Sequence, residues 1–375
     1  MRENVDISVA IPIYKGKKYI GQIIEMIELN QKVLMQKGRK EKIEVIFVND
    51  YPNEKIDDNY SLSTILKLSF INNKENCGIH RTRIRALEAA KGTYILFLDQ
   101  DDIIANDYFY SQLVNINDAD AVLCNGIHRQ NKLIYANETE QRKVVCGKGY
   151  FEQEHIIISP GQVLIRKGAI PNQWKENILL ENGSDDVLLW ILMLDKDRRF
   201  AINPSNIYTH IEYGDNTSLD FTSMRNSVME LRKTVLSKKL LSCDNQKIFI
   251  DAISKRIEKY NQYIGAMNNW DTIVKNITKI CKGGQYNYVS VYGYGVIGRK
   301  LLKDLRKQKI NIYAVVDKDA YKYCEANEKI YRPCDIPKKI DLLIISPIFA
   351  YEIIKLELIS ANYKGNIINI MEIEH

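Results

Sequence analysis

An apolar run of strand length, Tyr94 to Leu98, stops abruptly at three carboxylates within four residues: Asp99, Asp101 and Asp102. A strand apolar at every position belongs in a sheet covered on both faces, which points to parallel strands with helices packed against them. The preceding segments repeat the pattern. Ile7 to Tyr14 and Ile43 to Asp50 are apolar runs with polar ends, separated by a helical periodicity from Tyr19 to about Lys37. Asn76 to Gly92 reads as a helix closed by its C-terminal glycine and opening onto the acidic strand. In an open parallel sheet the ligand crevice lies beyond the carboxyl ends of the strands. Tyr14, Asp50 and Asp99 to Asp102 are therefore expected to converge on one cleft.

Crowded carboxylates raise one another's pKa unless a cation sits among them. Their hard oxygens suit Mg2+ or Mn2+, ions that bridge protein carboxylates to nucleotide phosphates. A solvated acidic turn is the alternative for an isolated Asp pair, but this run is not isolated. A second acidic group lies at Ser184, Asp185 and Asp186, where Ser184 suits an N-cap and the helix dipole favours acids in the first turn. An acidic first turn needs no catalytic explanation by itself. His210 is a candidate third metal or diphosphate ligand, set against a histidine that merely packs; His80, His128 and His155 read as structural or surface residues. Trp174 reads either as a sugar-stacking face or as a packed core residue.

Taken in order, Ser8 to Tyr14, Val48 to Asp50, Asn76 to Gly92 and Phe97 to Asp102 give the first half of the chain, roughly Asp6 to Leu219, a family resemblance. It resembles the family-2 inverting glycosyltransferases of the GT-A nucleotide-sugar fold. The resemblance implies an α/β domain with a mixed, mostly parallel sheet. It further implies that Pro12, Tyr14, Asp50, Arg83 and Asp99 serve the donor nucleotide, with Asp50 on uracil and Asp99 on the ribose or the metal. Asp101 and Asp102, with His210, would hold Mn2+ or Mg2+, and Asp186 would be the base, with Asp185 left open as the other candidate. Two departures bear on donor identity: Asn49-Asp50-Tyr51-Pro52 stands where the family has paired aspartates and Gly-Ser, and Ile84 and Ala86 stand where Asn and Gly are common. The activity implied is transfer from a UDP-sugar to a hydroxyl of a growing surface glycan, carried by lipid or protein.

From Thr222 to Lys282 apolar residues recur at helical spacing, which predicts a helical linker. Its basic residues, including Lys238, Lys239, Lys255, Arg256 and Lys259, read as a solvated face, or as one suited to peripheral contact with an anionic membrane. Beyond it, Gly293, Gly295 and Gly298 follow a strand and open a helix, with Asp317 about twenty residues on, as a dinucleotide fingerprint requires. Only about half of a full dinucleotide fold remains. The end of the chain is thus expected to be a small Rossmann-like accessory module for docking or homo-oligomerisation, with an accessory nucleotide site as the alternative. The expected organisation is a GT-A domain over 1–221, a helical linker over 222–285 and the accessory module over 286–375.

The net charge of +6 is spread along the chain without an aromatic-interleaved basic tract, which argues against nucleic acid. Seven cysteines without a C-x-x-C pair predict a reducing cytoplasm and no structural zinc. No bilayer-spanning run or signal peptide is legible, so the expected location is cytoplasmic, at the inner face of the membrane where acceptors are lipid-linked. Two other classes remain open: a nicotinamide-dependent sugar oxidoreductase working through Gly293 to Gly298, and a non-catalytic scaffold of a glycan-assembly complex.

Overall fold

The computed structural model describes residues 5–57, 63, 65–128, 131–146, 148–153, 157–211, 220–284, 286–323 and 328–371. The chain divides into two units, residues 1–129 with 133–256, and 130–132 with 257–375. The division falls inside one long helix of the region expected to be a linker.

The first unit runs β1 (Ile7–Ile13), α1 (Ile20–Gln36), β2 (Ile43–Asn49), β3 (Lys67–Asn72), α2 (Ile79–Ala89), β4 (Tyr94–Phe97), β5 (Ile103–Ile104), α3 (Tyr108–Ile116), β6 (Ala121–His128) and β7 (Lys132–Leu133). It continues with α4 (Glu138–Val145), β8 (Val163–Arg166), α5 (Asn172–Glu176), α6 (Asp185–Asp195), β9 (Phe200–His210), α7 (Phe221–Lys238) and the start of α8 (Cys243–Asn268). The sheet order is β3-β2-β1-β4-β8-β6-β9-β5, with β7 beside β6. Strands β3, β2, β1 and β4 are mutually parallel, whereas β8 runs antiparallel to both its neighbours, so the sheet is mixed as expected. Every residue of β1 and β2 is buried, because helices cover both faces of the sheet there.

Two local details differ from the sequence reading. Helix α2 ends at Ala90 in extended conformation, without a left-handed glycine. Gly92 is required for another reason: a Cβ there would lie 2.7 Å from the Ser8 backbone nitrogen, and the Gly92 N–H donates to Ser8 Oγ at 2.9 Å. Helix α4, capped by the Asn137 side chain accepting from the Glu140 N–H, falls between Asp120 and Pro171, where short alternating runs such as Ala121 to Cys124 and Gln162 to Ile165 predict strands with loops.

The second unit contains the end of α8, α9 (Trp270–Gly283), β10 (Val289–Tyr292), α10 (Val296–Lys307), β11 (Ile312–Val316), β12 (Ile330–Tyr331), β13 (Leu342–Ile345), α11 (Tyr351–Ser360) and β14 (Asn366–Asn369). Its five strands are all parallel, in the order β12-β11-β10-β13-β14. The chain thus winds outward in both directions from β10, the topology of a small doubly wound module. Tyr292, Val316, Leu343, Ile345, Ile354 and Leu358 form part of its core. No helix among the described residues is long and apolar enough to cross a membrane.

Candidate active site

The cleft of the first unit begins with a missing backbone donor. In β1 the Ile13 carbonyl accepts from the Asp50 N–H on the β2 side, and the Ala10 carbonyl accepts from the Leu98 N–H on the β4 side. Residue 12 therefore faces β4, and as proline it has no N–H to continue that ladder. Pairing of β1 with β4 stops at Ala10, and the segment that carries Asp99 to Asp102 follows beyond the paired residues. The Gln100 side chain reaches Tyr14, accepting from the Tyr14 N–H at 3.0 Å and donating to the Tyr14 carbonyl at 3.1 Å. Tyr14 is left 45% exposed, edge-on to Tyr51 at 5.5 Å, with Lys15 Nζ over both rings.

Asp50 sits at the tip of β2 and is buried. Its Oδ1 accepts from Asn73 Nδ2 and the Cys77 N–H, both at 2.7 Å, and its Oδ2 from the Gly78 N–H at 2.9 Å. The residue expected on uracil thus also fixes the turn that leads into α2.

Helix α2 carries Arg83, which is buried between two carboxylates. Its Nη1 lies 2.7 Å from Asp185 Oδ2, and its Nη2 pairs with Asp99 Oδ1. Both terminal nitrogens are therefore engaged within the protein, and Arg83 braces the acidic strand tip against the start of α6. Asp185 is fully buried in that pair, while its neighbour Asp186 is only half-buried. Asp186 Oδ1 accepts from the Val187 N–H at 2.8 Å. Burial and the adjacent Asp185 charge push Asp186 up to about 7, against the downward pull of Arg83. Ser184 occupies the N-cap position but makes no side-chain cap; its Oγ accepts from Ser227 Oγ of α7 at 2.8 Å. Trp174 is fully buried against His80 and Phe97 and donates from Nε1 to the Asp185 carbonyl at 2.7 Å. That makes it a core residue and removes the sugar-stacking reading. His80 is likewise buried, its Nδ1 accepting from the Leu179 N–H at 2.9 Å.

The remaining carboxylates separate by role. Asp102 Oδ1 lies 2.9 Å from His210 Nδ1 and accepts from the Ile211 N–H, while Oδ2 accepts from Ser159 Oγ and Tyr208 Oη. It stands behind His210 and orients the ring. Burial opposes protonation of His210, but the hydrogen bond and charge of Asp102, with Asp99 and Asp101, outweigh it and raise the pKa. Burial, then the charges of Asp102 and Asp99, push Asp101 up to about 6. Among the described residues no three His, Cys, Asp or Glu side chains form a ready cation site. The donor chemistry nonetheless fits a hard divalent ion: Asp101 is destabilised as an anion by its neighbours, and His210 turns one nitrogen to a carboxylate, as metal-bound histidines do.

Sequence reasoning missed Gln100, Ser159, Tyr208 and Ser227. Tyr208 alone had a signal, since it lies two residues before His210 and shares a face of β9 with it. His155 and residues 212–219 lie outside the described residues.

In the second unit the glycine motif forms a close-packed turn. Gly293 has φ +97°, and a Cβ on Gly298 would lie 1.9 Å from the Gly293 carbonyl oxygen. Asp317 accepts from the Tyr294 N–H at 2.6 Å and from the Asp319 N–H at 2.8 Å, so its carboxylate is engaged by the loop itself. Gly295 opens α10 with free space at its Cβ position.

Residues 8–185 match the profile "Glycosyl transferase family 2". Among curated relatives, the chain is 23% identical over 293 residues to "Minor teichoic acid biosynthesis protein GgaB" of Bacillus subtilis, covering 74% of this chain and 30% of that one. It spans between 30% and 38% of the length of the first three relatives matched. Among solved structures it resembles S. aureus TarS 1-349 in complex with UDP, at TM-score 0.46 and 16% identity, over 68% of this chain and 72% of that one. It also resembles the mannosyltransferase PcManGT from Pyrobaculum calidifontis in complex with GDP-Man and Mn2+, at TM-score 0.48 and 13% identity, over 72% of each. The matched segment takes in Ser8 to Ile13 of β1, the acidic tip of β4 and Asp185, the first residue of α6, and it is over these residues that the chain is similar to glycosyl transferase family 2.

Proposed function

We propose that the chain is an inverting glycosyltransferase that moves a sugar from a UDP-sugar to a hydroxyl of a surface glycan carried by lipid or protein, with Asp186 as general base. The observation that carries this reading is the unequal fate of two adjacent carboxylates. Arg83 holds Asp185 buried as its counter-ion, and Asp186 remains half-buried with a pKa of about 7, matched to proton transfer near neutrality. The match to family 2 supports the reaction class, and a relative named for minor teichoic acid biosynthesis supports a surface-glycan acceptor.

In this reading Asp186 takes the proton of the acceptor hydroxyl as that oxygen attacks the anomeric carbon from the face opposite the nucleotide. One carbon–oxygen bond forms, the bond to UDP breaks, and the configuration inverts. Tyr14 and Asp50 border the base of the donor, and Asp99 the ribose. Asp101 and His210, with Asp102 behind, would hold a divalent ion, which when bound supplies Lewis-acid stabilisation of the diphosphate. Arg83 keeps donor side and base in fixed register through Asp99 and Asp185.

The test is a panel of UDP-glucose, UDP-galactose, their N-acetyl forms, and GDP and dTDP donors, with Mn2+ or chelator. Metal-dependent UDP release that disappears in Asp101→Ala supports the proposal and names the donor. Absence of binding to every donor would move the weight to a non-catalytic scaffold.

A further inference from the structure

We infer that Ser227 of α7 is a positioning residue for Asp186: by engaging the Ser184 hydroxyl it keeps that hydroxyl from capping α6, and so leaves the Val187 N–H to the Asp186 carboxylate. The inference rests on the reading of Asp186 as base, but each of its contacts joins atoms at bonding distance. Ser184 stands at the N-cap of α6, where a serine hydroxyl ordinarily accepts from the N–H two or three residues on, here Asp186 or Val187. It caps neither. Its backbone, at φ −132° and ψ 5°, lies outside the extended conformation that a cap uses, and its Oγ lies 2.8 Å from Ser227 Oγ, with both residues buried. The Leu188 N–H donates to the Ser184 carbonyl and starts the helical ladder, so the Val187 N–H precedes that ladder and needs a side-chain acceptor. Asp186 Oδ1 accepts from it at 2.8 Å.

Helix α7 also holds the approach to that turn. The Glu230 carboxylate accepts from the Leu180 N–H at 3.0 Å and from the Glu181 N–H at 2.8 Å. Gly183 has φ +113°, and a Cβ there would lie 2.9 Å from Met224 Sδ and 3.8 Å from Ser227 Oγ, so the chain passes against α7 where a side chain would not fit. From α2, the Ile79 N–H donates to Asn182 Oδ1 at 3.1 Å, and Arg83 pairs with Asp185. Each residue from 180 to 185 is thus tied to α7 or α2, whereas the Asp186 carboxylate is held within its own turn. Helix α7 lies beyond the segment matched to the family, so a helix outside that segment sets the start of α6.

A Ser184 hydroxyl released from Ser227 competes for the Val187 N–H, because an N-cap serine stabilises a helix by about 1 kcal/mol. Asp186 then loses the donor that fixes one of its oxygens, and with it a contact that favours the ionised form. The titratable groups acting on Asp186 are Asp185, Arg83 and Asp99, and Asp186 in turn acts on Tyr150. Replacing Ser227 leaves each of them in place, so a shift of the Asp186 titration reports the Val187 contact.

The experiment uses the full chain labelled with 15N-valine, Ser227→Ala, and the double variant Ser227→Ala with Ser184→Ala. In the unaltered chain the Val187 amide proton should shift with pH through the titration of Asp186, because the carboxylate it donates to gains and loses charge. In Ser227→Ala that shift should largely disappear, the acid limb of the kcat–pH profile should move upward by about one pH unit, and kcat at neutral pH should fall roughly tenfold with donor KM unchanged. Removing the competing hydroxyl as well, in the double variant, should restore the amide shift and most of kcat, whereas a packing role alone would make the two losses add. A Val187 titration in Ser227→Ala superimposable on that of the unaltered chain, or a double variant no better than the single one, overturns the inference. If the unaltered chain transfers no sugar from any donor, the transferase reading fails, while the Val187 titration still decides whether Ser227 governs the contact with Asp186.

Discussion

Arg83 Nη1 lies 2.7 Å from Asp185 Oδ2 while Nη2 of the same guanidinium holds Asp99, so one buried cation joins the acidic tip of β4 to the first turn of α6. The side proposed for the donor and the side proposed for the base are thereby tied together by a single residue. The pair also separates the roles of two consecutive aspartates, one structural and one accessible.

Removing that cation leaves two carboxylates facing each other without compensation. Arg83→Leu is expected to cost about 3–5 kcal/mol of stability, the range for breaking a buried ion pair by deleting one partner. Asp186 should also titrate higher, since Arg83 is the group that pulls it down. Urea unfolding at pH 8 checks the first expectation; retention of full stability would show that Asp99 and Asp185 are satisfied elsewhere.

Asp186→Asn and Asp185→Asn should part ways. The first is expected to lower kcat by about 10²–10⁴ with donor KM little changed, as loss of a general base does. In the unaltered chain, activity should rise with pH through about 7 as Asp186 ionises. Because its pKa is raised on folding, Asp186 contributes stability below its unfolded value near 4 that is lost as pH climbs through about 7. Asp186→Asn should therefore melt higher than the unaltered chain at pH 8, and Asp185→Asn lower. Equal kcat losses in the two variants would undo the assignment of roles.

Asp102 lies 2.9 Å from His210 Nδ1 and orients its ring. Asp102→Asn should lower the His210 pKa, because the hydrogen bond and charge that raise it are weakened. It should also reduce Mn2+ affinity by roughly 10–100-fold, the usual effect of removing such a partner. Histidine NMR titration and Mn2+ electron paramagnetic resonance read the two effects separately. An unchanged His210 titration would mean that Asp102 serves Tyr208 and Ser159 alone.

Tyr14 is exposed beside Tyr51 at the mouth of the cleft. Tyr14→Ala should raise donor KM by roughly fivefold, about 1 kcal/mol of lost aromatic contact, and leave kcat nearly unchanged. Isothermal titration with UDP isolates the binding effect; an unaltered UDP affinity would place the base elsewhere.

The positions of β1, β2 and β4, of the helices α1 and α2, and of the polar residues at the carboxyl ends of those strands follow from the chain read alone, whereas β3 and α4 do not. Periodicity and burial are local properties, and β1, β2 and β4 declare themselves by apolar runs that stop at Tyr14, Asp50 and Asp99. The glycines of the second unit likewise announce a turn between strand and helix. What each polar side chain does was decided elsewhere. Ser184 looks like a cap until Ser227, 43 residues away, gives its hydroxyl a different partner. Trp174 looks free to stack on a sugar until His80 and Phe97 close over it. Asp185 and Asp186 are equivalent in sequence, and Arg83, 102 residues from Asp185, makes them unequal. A hydrogen bond or ion pair depends on which distant groups the packed sheet brings within about 3 Å. The sequence alone therefore specified the strands β1, β2 and β4 and the polar residues at their carboxyl ends, and only the tertiary structure decided which of those groups are engaged within the protein and which are not.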